Sequence, residues 1–150
     1  MLNPGGDLDL DWVLSTRINR SAVERRTRTL TGRRTVKKSW QISWLAHAIG
    51  CIDLTTLSGD DTPGTVRRLA AKARKPVRND ILEAHGLPTD IHCASVCVYH
   101  NLIATACEAT ANSPVKVCAV STGFPAGQIP QQMKLAQIES SIAAGATEID

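Results

Sequence analysis

The sequence predicts an α/β fold built on a parallel sheet, and two features of the chain point there. Short, near-continuous apolar runs recur at Cys51–Leu54, Ile91–Tyr99, Lys116–Val120 and Thr147–Asp150. Between them lie longer segments with helical spacing and helix-starting residues. Strands that read as unbroken apolar runs are covered on both faces, and strand–helix alternation supplies the cover. With 150 residues, 43% of them apolar, the chain is long enough to bury a core. Aromatics are only 3%, so that core must come from Ala, Val, Ile and Leu.

Taken in order, Ser21–Leu30 reads as a short helix, with Ser21 as N-cap and Glu24 completing a capping box. Thr35–Ile49 reads as a longer one, with Val36, Trp40, Ile42, Trp44, Leu45 and Ala48 giving it an apolar side. Gly50 opens the first strand, over 51–54. Thr62 caps the next helix, Pro63 takes its first position, and it runs to about Arg74, ahead of Pro76. The second strand, 91–99, leads into a helix over Leu102–Ala111, and the third strand, 116–120, into the turn Gly123-Phe124-Pro125-Ala126-Gly127. A helix over Gln131–Ala144 and a fourth strand from Thr147 complete the chain.

Composition excludes several classes. No run approaches the roughly 18 apolar residues that span a bilayer, so no membrane role is expected. The segment from Met1 to Asp7 lacks the basic start and apolar stretch of a secretory signal, and a cytoplasmic protein is the expectation. Cysteines at 51, 93, 97, 107 and 118 are odd in number and mostly sit in apolar runs, as reduced thiols do. His92, Cys93 and Cys97 are close in sequence, but they fall in a strand with no second ligand pair, so no metal is expected. Between Arg17 and Lys38 stand nine basic residues and one acid, in a chain whose net charge is only +3. The solvated face of flanking helices accounts for that cluster better than nucleic-acid binding does, since no aromatics interleave for base stacking.

Two architectures compete for the alternation. A doubly wound sheet can finish in 150 residues, whereas a (β/α)8 barrel needs about 250. The run ends on Asp150, inside a strand, so the sequence reads as the first half of a barrel. On that reading residues 1–49 form an N-terminal helical extension and 50–150 carry the first four barrel strands.

Particular motifs then carry a family likeness. Ile52-Asp53-Leu54-Thr55-Thr56-Leu57 with Asp60-Asp61-Thr62 resembles the first strand and loop of deoxyribose-phosphate aldolases. Val96-Cys97-Val98-Tyr99 is similar to their second-strand motif, and Gly123–Gly127 to the loop after their third. Gly145-Ala146-Thr147-Glu148-Ile149-Asp150 resembles the entry into their fourth strand. Arg33-Arg34-Thr35-Val36-Lys37-Lys38, with Trp40 and Trp44, resembles the N-terminal extension of the animal-type members. His100 departs from the pattern, standing where the family usually has proline.

The resemblance implies a class I lyase that cleaves 2-deoxy-D-ribose 5-phosphate to glyceraldehyde 3-phosphate and acetaldehyde through a lysine Schiff base, in deoxyribonucleotide catabolism and without a cofactor. It maps the proton-relaying carboxylate onto Asp150, and assigns Asp53, Thr55 and Cys97 to the substrate pocket. The family's two lysines belong to later strands, so this chain is expected to be inactive alone. It also leaves room for a homo-oligomer of the full-length enzyme. The lysines present do not substitute: Lys116 falls at the N-terminal end of its strand, Lys37 and Lys38 in the basic flank, and Lys72, Lys75 and Lys134 on or beside helices. Plainer roles stand beside these assignments. Asp53 can serve only to accept hydrogen bonds from a loop, Thr55 and Thr56 only to shape one, and Cys97 as a core thiol. Two other readings of the whole are a non-catalytic small α/β binding domain and nucleic-acid binding through residues 17–38.

Overall fold

The computed structural model describes residues 6–33 and 35–150; Met1 to Gly5, and Arg34 of the basic stretch, lie outside the described residues. The chain forms two compact units, Met1–Lys37 and Lys38–Asp150.

The first unit holds two helices. α1 (Leu10–Ser15) was not anticipated; Asp9 starts it by accepting a hydrogen bond from the Trp12 amide at 2.9 Å. α2 (Arg20–Arg33) begins before the expected Ser21 cap. Asn19 is the capping side chain, its Oδ1 accepting from the Ala22 amide at 3.0 Å. Glu24 forms no capping box, because its carboxylate accepts from the Arg20 guanidinium at 2.6 Å. Asn is among the best cap residues, and an (i, i+4) ion pair engages the acid that the box would need.

The second unit opens with α3 (Lys38–Ile49). Its expected apolar side is not buried: Trp40, Trp44 and Leu45 are exposed, and no residue of α3 is fully buried. The apolar residues are spread around the helix. Ile49 packs against the core, and Ile42 and Leu45 border a groove shared with Ile81 and Leu82. Then follow β1 (Asp53–Thr55), α4 (Pro63–Arg74), α5 (Asn79–Ala84) and β2 (Ser95–Val98). A 3₁₀ turn over His100–Leu102 leads into α6 (Ile103–Thr110), β3 (Lys116–Ala119), α7 (Gln131–Ala143) and β4 (Glu148–Ile149). Thr62 caps α4 as expected, its Oγ1 accepting from the Thr65 amide at 3.2 Å with Pro63 next in line. α5 was not anticipated.

The sheet is wholly parallel in the order β1-β2-β3-β4. A doubly wound sheet reverses direction at a switch point and carries helices on both faces. Here strand order equals chain order, and the apolar core occupies one face. Val96, Val98, Val117 and Ala119 pack there against Val66 and Ala73 of α4 and Ile103 and Ala106 of α6. Register places the alternate residues on the opposite face, in the rows Asp53–Ser95–Lys116 and Thr55–Cys97–Cys118–Glu148. That second face carries only a small apolar cluster, Cys97, Cys118 and Val120 with Leu57 and Tyr99. One helix-covered face and one enclosed face is the organisation of a barrel wall.

The strands are shorter than their apolar runs. Ile52 lies just ahead of β1, and its carbonyl accepts from the amides of Ala94 and Ser95 at 3.0 and 3.4 Å. Cys93 likewise sits outside β2, its amide donating to the Ala73 carbonyl of α4 at 2.8 Å.

Candidate functional site

The carboxyl ends of the strands gather the polar groups that chemistry would need. Asp150 directly follows β4 and prolongs the ladder by one residue. Its amide donates to the Ala119 carbonyl at 3.0 Å, and its carbonyl accepts from the Ser121 amide at 3.1 Å. The backbone is thereby fixed while the carboxylate stays open to solvent, at the wall of a cavity of about 300 Å³. Ser121, Thr122 and the loop Phe124–Gly127 form the rest of that wall.

Cys97 lies on the same face of the sheet. Its Sγ is 4.0 Å from Asp150 Oδ2, within reach of a weak thiol-to-carboxylate hydrogen bond. Burial pushes the Cys97 thiol up, and the charges of Asp150 and Asp53 add to the effect, so it is a proton-bearing donor and not a nucleophile. Its cross-strand neighbour Cys118 is pushed up to about 12, chiefly by burial and then by Cys97 and the two carboxylates. Nothing in the sequence pairs these two thiols. Their adjacency comes from the β2–β3 register, which sets Cys97 beside Cys118.

The β1 residues are placed differently from one another. Thr55 ends the strand, and its hydroxyl donates to the Asp53 carbonyl at 2.9 Å. Asp53 was expected near the carboxyl end but is the first residue of β1, because the strand begins two residues later than its apolar run. Its Oδ1 accepts from the buried Ser95 hydroxyl at 2.7 Å, which ties it to β2. Asp61 staples the loop after β1: its carboxylate accepts from the Thr56 hydroxyl and from the Ser58 amide, each at 2.9 Å. Ser58 also holds the exposed Asp60 carboxyl below the usual range by donating to it.

The Gly123–Gly127 loop is shaped by its two glycines. Gly123 has φ +82°, and a Cβ there would lie 2.7 Å from Ile129 Cγ1. Its amide donates to Gln137 Oε1 of α7 at 2.8 Å. Gln137 is thus a positioning residue for the cavity wall that motif reading missed, since it lies 14 residues away on the next helix. Phe124 meets Tyr99 edge to face, with ring centroids 6.0 Å apart. His100, the departure from the family pattern, begins the 3₁₀ turn, and its Nδ1 lies 2.7 Å from Ser141 Oγ of α7. Ser141 Oγ also lies 2.9 Å from the Gln137 carbonyl, so one hydroxyl links His100 to α7.

The lysines divide by position. Lys116 begins β3 at the end of the sheet away from Asp150, and Lys72 lies on α4 with Lys75 at its C-cap. Lys134 of α7 is half-buried, and its Nζ comes within 4.0 Å of the position that a Cβ on Gly127 would take. Among the described residues, no group of three or more His, Cys, Asp or Glu could hold a metal ion.

Helices on one face, strands in chain order and polar groups at their carboxyl ends define a segment of a (β/α) barrel. No family model matches the chain. Over 97% of its length it is 44% identical to the deoxyribose-phosphate aldolase of Bos taurus, and over 99% it is 44% identical to that of Homo sapiens. The Mus musculus enzyme is 45% identical over 97% of the chain. The chain spans about half the length of these curated relatives, 47 to 48%. Among solved structures, a candidate deoxyribose-phosphate aldolase from Coccidioides immitis superposes with a TM-score of 0.56 at 19% identity, covering 89% of this chain and 47% of its own, a likeness of fold. A tetrameric deoxyribose-phosphate aldolase from Aeropyrum pernix superposes at 0.53 with 27% identity, covering 70% of this chain and 38% of its own. The motif resemblance is thereby borne out: over nearly its whole length the chain is similar to deoxyribose-phosphate aldolases, and its fold matches part of theirs.

Proposed function

We propose that this chain carries the first four strands and the proton-relaying carboxylate of a deoxyribose-phosphate aldolase. In the complete enzyme a lysine outside these residues attacks the C1 aldehyde of open-chain 2-deoxyribose 5-phosphate and expels water to form an iminium. A base then takes the C3 hydroxyl proton, the C2–C3 bond breaks, and its electrons pass into the iminium to give an enamine. Glyceraldehyde 3-phosphate leaves. Protonation of the enamine carbon and hydrolysis then release acetaldehyde and regenerate the lysine.

Asp150 is the base in this scheme, acting through water. The observation that carries the assignment is its geometry: an exposed carboxylate at the carboxyl end of β4, in the wall of a cavity, beside the protonated Cys97 thiol. Thr55, Cys97 and Asp53 support the pocket floor, with Asp53 acting through its bond to Ser95. The substrate is a sugar phosphate, the setting cytoplasmic deoxyribonucleotide catabolism, and the full-length protein an oligomer, as the Aeropyrum pernix neighbour is tetrameric. Among the described residues no helix is long and apolar enough to cross a membrane.

The chain alone should not cleave substrate, because none of its lysines stands at the carboxyl end of a strand. Borohydride reduction in the presence of deoxyribose 5-phosphate tests this. The expected result is an unmodified mass; a stable adduct on any lysine of residues 1–150 would overturn the reading.

A further inference from the structure

We propose that helix α2 is a nucleic-acid-binding surface that grips phosphates and does not read bases. Charge complementarity carries the proposal. Within its own unit none of α2 is buried, and it carries arginines at 20, 25, 26, 28 and 33 against a single acid, Glu24. Arg20 occupies that acid. Among the described residues Arg25, Arg26 and Arg33 make no ion pair, and Arg28 turns its Nε to the Glu24 carbonyl at 3.3 Å.

Arg25 and Arg28 stand at (i, i+3) and bring like charges together, a cost that a polyanion would relieve. At 3.6 residues per turn, Arg25, Arg26, Arg28 and Arg33 fall within an arc of roughly 160°, and Arg25 to Arg33 spans about 12 Å of axis. The B-DNA major groove admits an α-helix, whose basic side chains can then reach the flanking phosphates. Outside the arginine arc the apolar residues are Val23 and Leu30, too few to sink a helix into a membrane interface. α2 contains no aromatic residue to stack on bases, so binding would be indifferent to sequence and strongly salt-dependent.

Fluorescence anisotropy of a labelled mixed-sequence 20-base-pair DNA duplex, titrated with the whole chain at 50 to 200 mM salt, tests the proposal. Four phosphate contacts predict a log–log slope near −3.6 and a loss of about 100-fold over that range. Replacing Arg25, Arg26 and Arg28 by Gln should flatten the slope by about 2.7 and weaken binding at least tenfold at 50 mM salt. Arg68→Gln with Lys72→Gln, exposed cations of the other unit, should leave binding unchanged. Any of four results overturns the proposal: no binding at about 100 μM chain in 50 mM salt, salt-independent binding, full retention by the triple variant, or preference for phosphatidylserine vesicles over the duplex.

Discussion

Gly123→Ala is the sharpest perturbation of the cavity wall. The new Cβ meets Ile129 at 2.7, 3.0 and 3.2 Å, so the whole branched end of that side chain must move. Overpacking of this kind costs typically 1–3 kcal/mol. The positive φ adds the left-handed penalty of an L-residue, roughly 1–2 kcal/mol. Displacing the Gly123 amide from Gln137 removes a hydrogen bond worth about 1 kcal/mol net. Partial relaxation of Ile129 trims the sum, and we expect a loss of about 3 kcal/mol in unfolding free energy. Urea titration followed by far-UV circular dichroism is the assay, because the tryptophans at 12, 40 and 44 are exposed and report poorly on the sheet. Repeating the substitution in an Ile129→Ala background should return the steric share and leave roughly 1–2 kcal/mol from the backbone alone. A loss below about 0.5 kcal/mol would refute both attributions, and an identical loss in the two backgrounds would refute the share assigned to Ile129.

In a chimera completed with the remainder of the bovine relative, Asp150→Asn should lower turnover by about 10² to 10⁴-fold. Melting temperature and substrate binding should hardly change; a rate within a few-fold of the parent would remove Asp150 from the proton relay. Cys118 predicts alkaline instability. Its folded pKa of about 12 lies above the ordinary 9.0, so its contribution to stability is full below pH 9 and fades as pH rises from 9 to 12. Cys118→Ala should flatten stability against pH across that window, and equal slopes for parent and variant would count against the burial assigned to this thiol.

Much of the fold was legible because its signals are local. Thr62 and Pro63 mark a helix start within two residues, and the apolar runs located all four strands. Register was not legible, and with it went Asp53: a strand that starts two residues late moves a side chain one row down the sheet. The exposed Trp40 and Trp44 misled for a related reason, since a helix with apolar residues on several sides does not say which side it buries. In the candidate site, Thr55 and Cys97 could be located on strands, and Asp150 at the end of one, from their motifs. Cys118 and Gln137 could not, because one reaches the site through cross-strand pairing and the other through a helix packed beneath a loop.

The match between strand order and chain order also bears on how the protein is made. Each of β2, β3 and β4, as it leaves the ribosome, finds its predecessor already made, and β1 waits for β2. The longest such wait is the 42 residues that separate Asp53 from Ser95. Pairings of this reach close modest loops, so assembly can keep pace with synthesis at roughly 5–20 residues per second. Most of the helix-side core, drawn from α4, β2, α6 and β3, is then made before β4 emerges. Asp150, which follows the fourth strand, is therefore delivered onto a wall already largely in place.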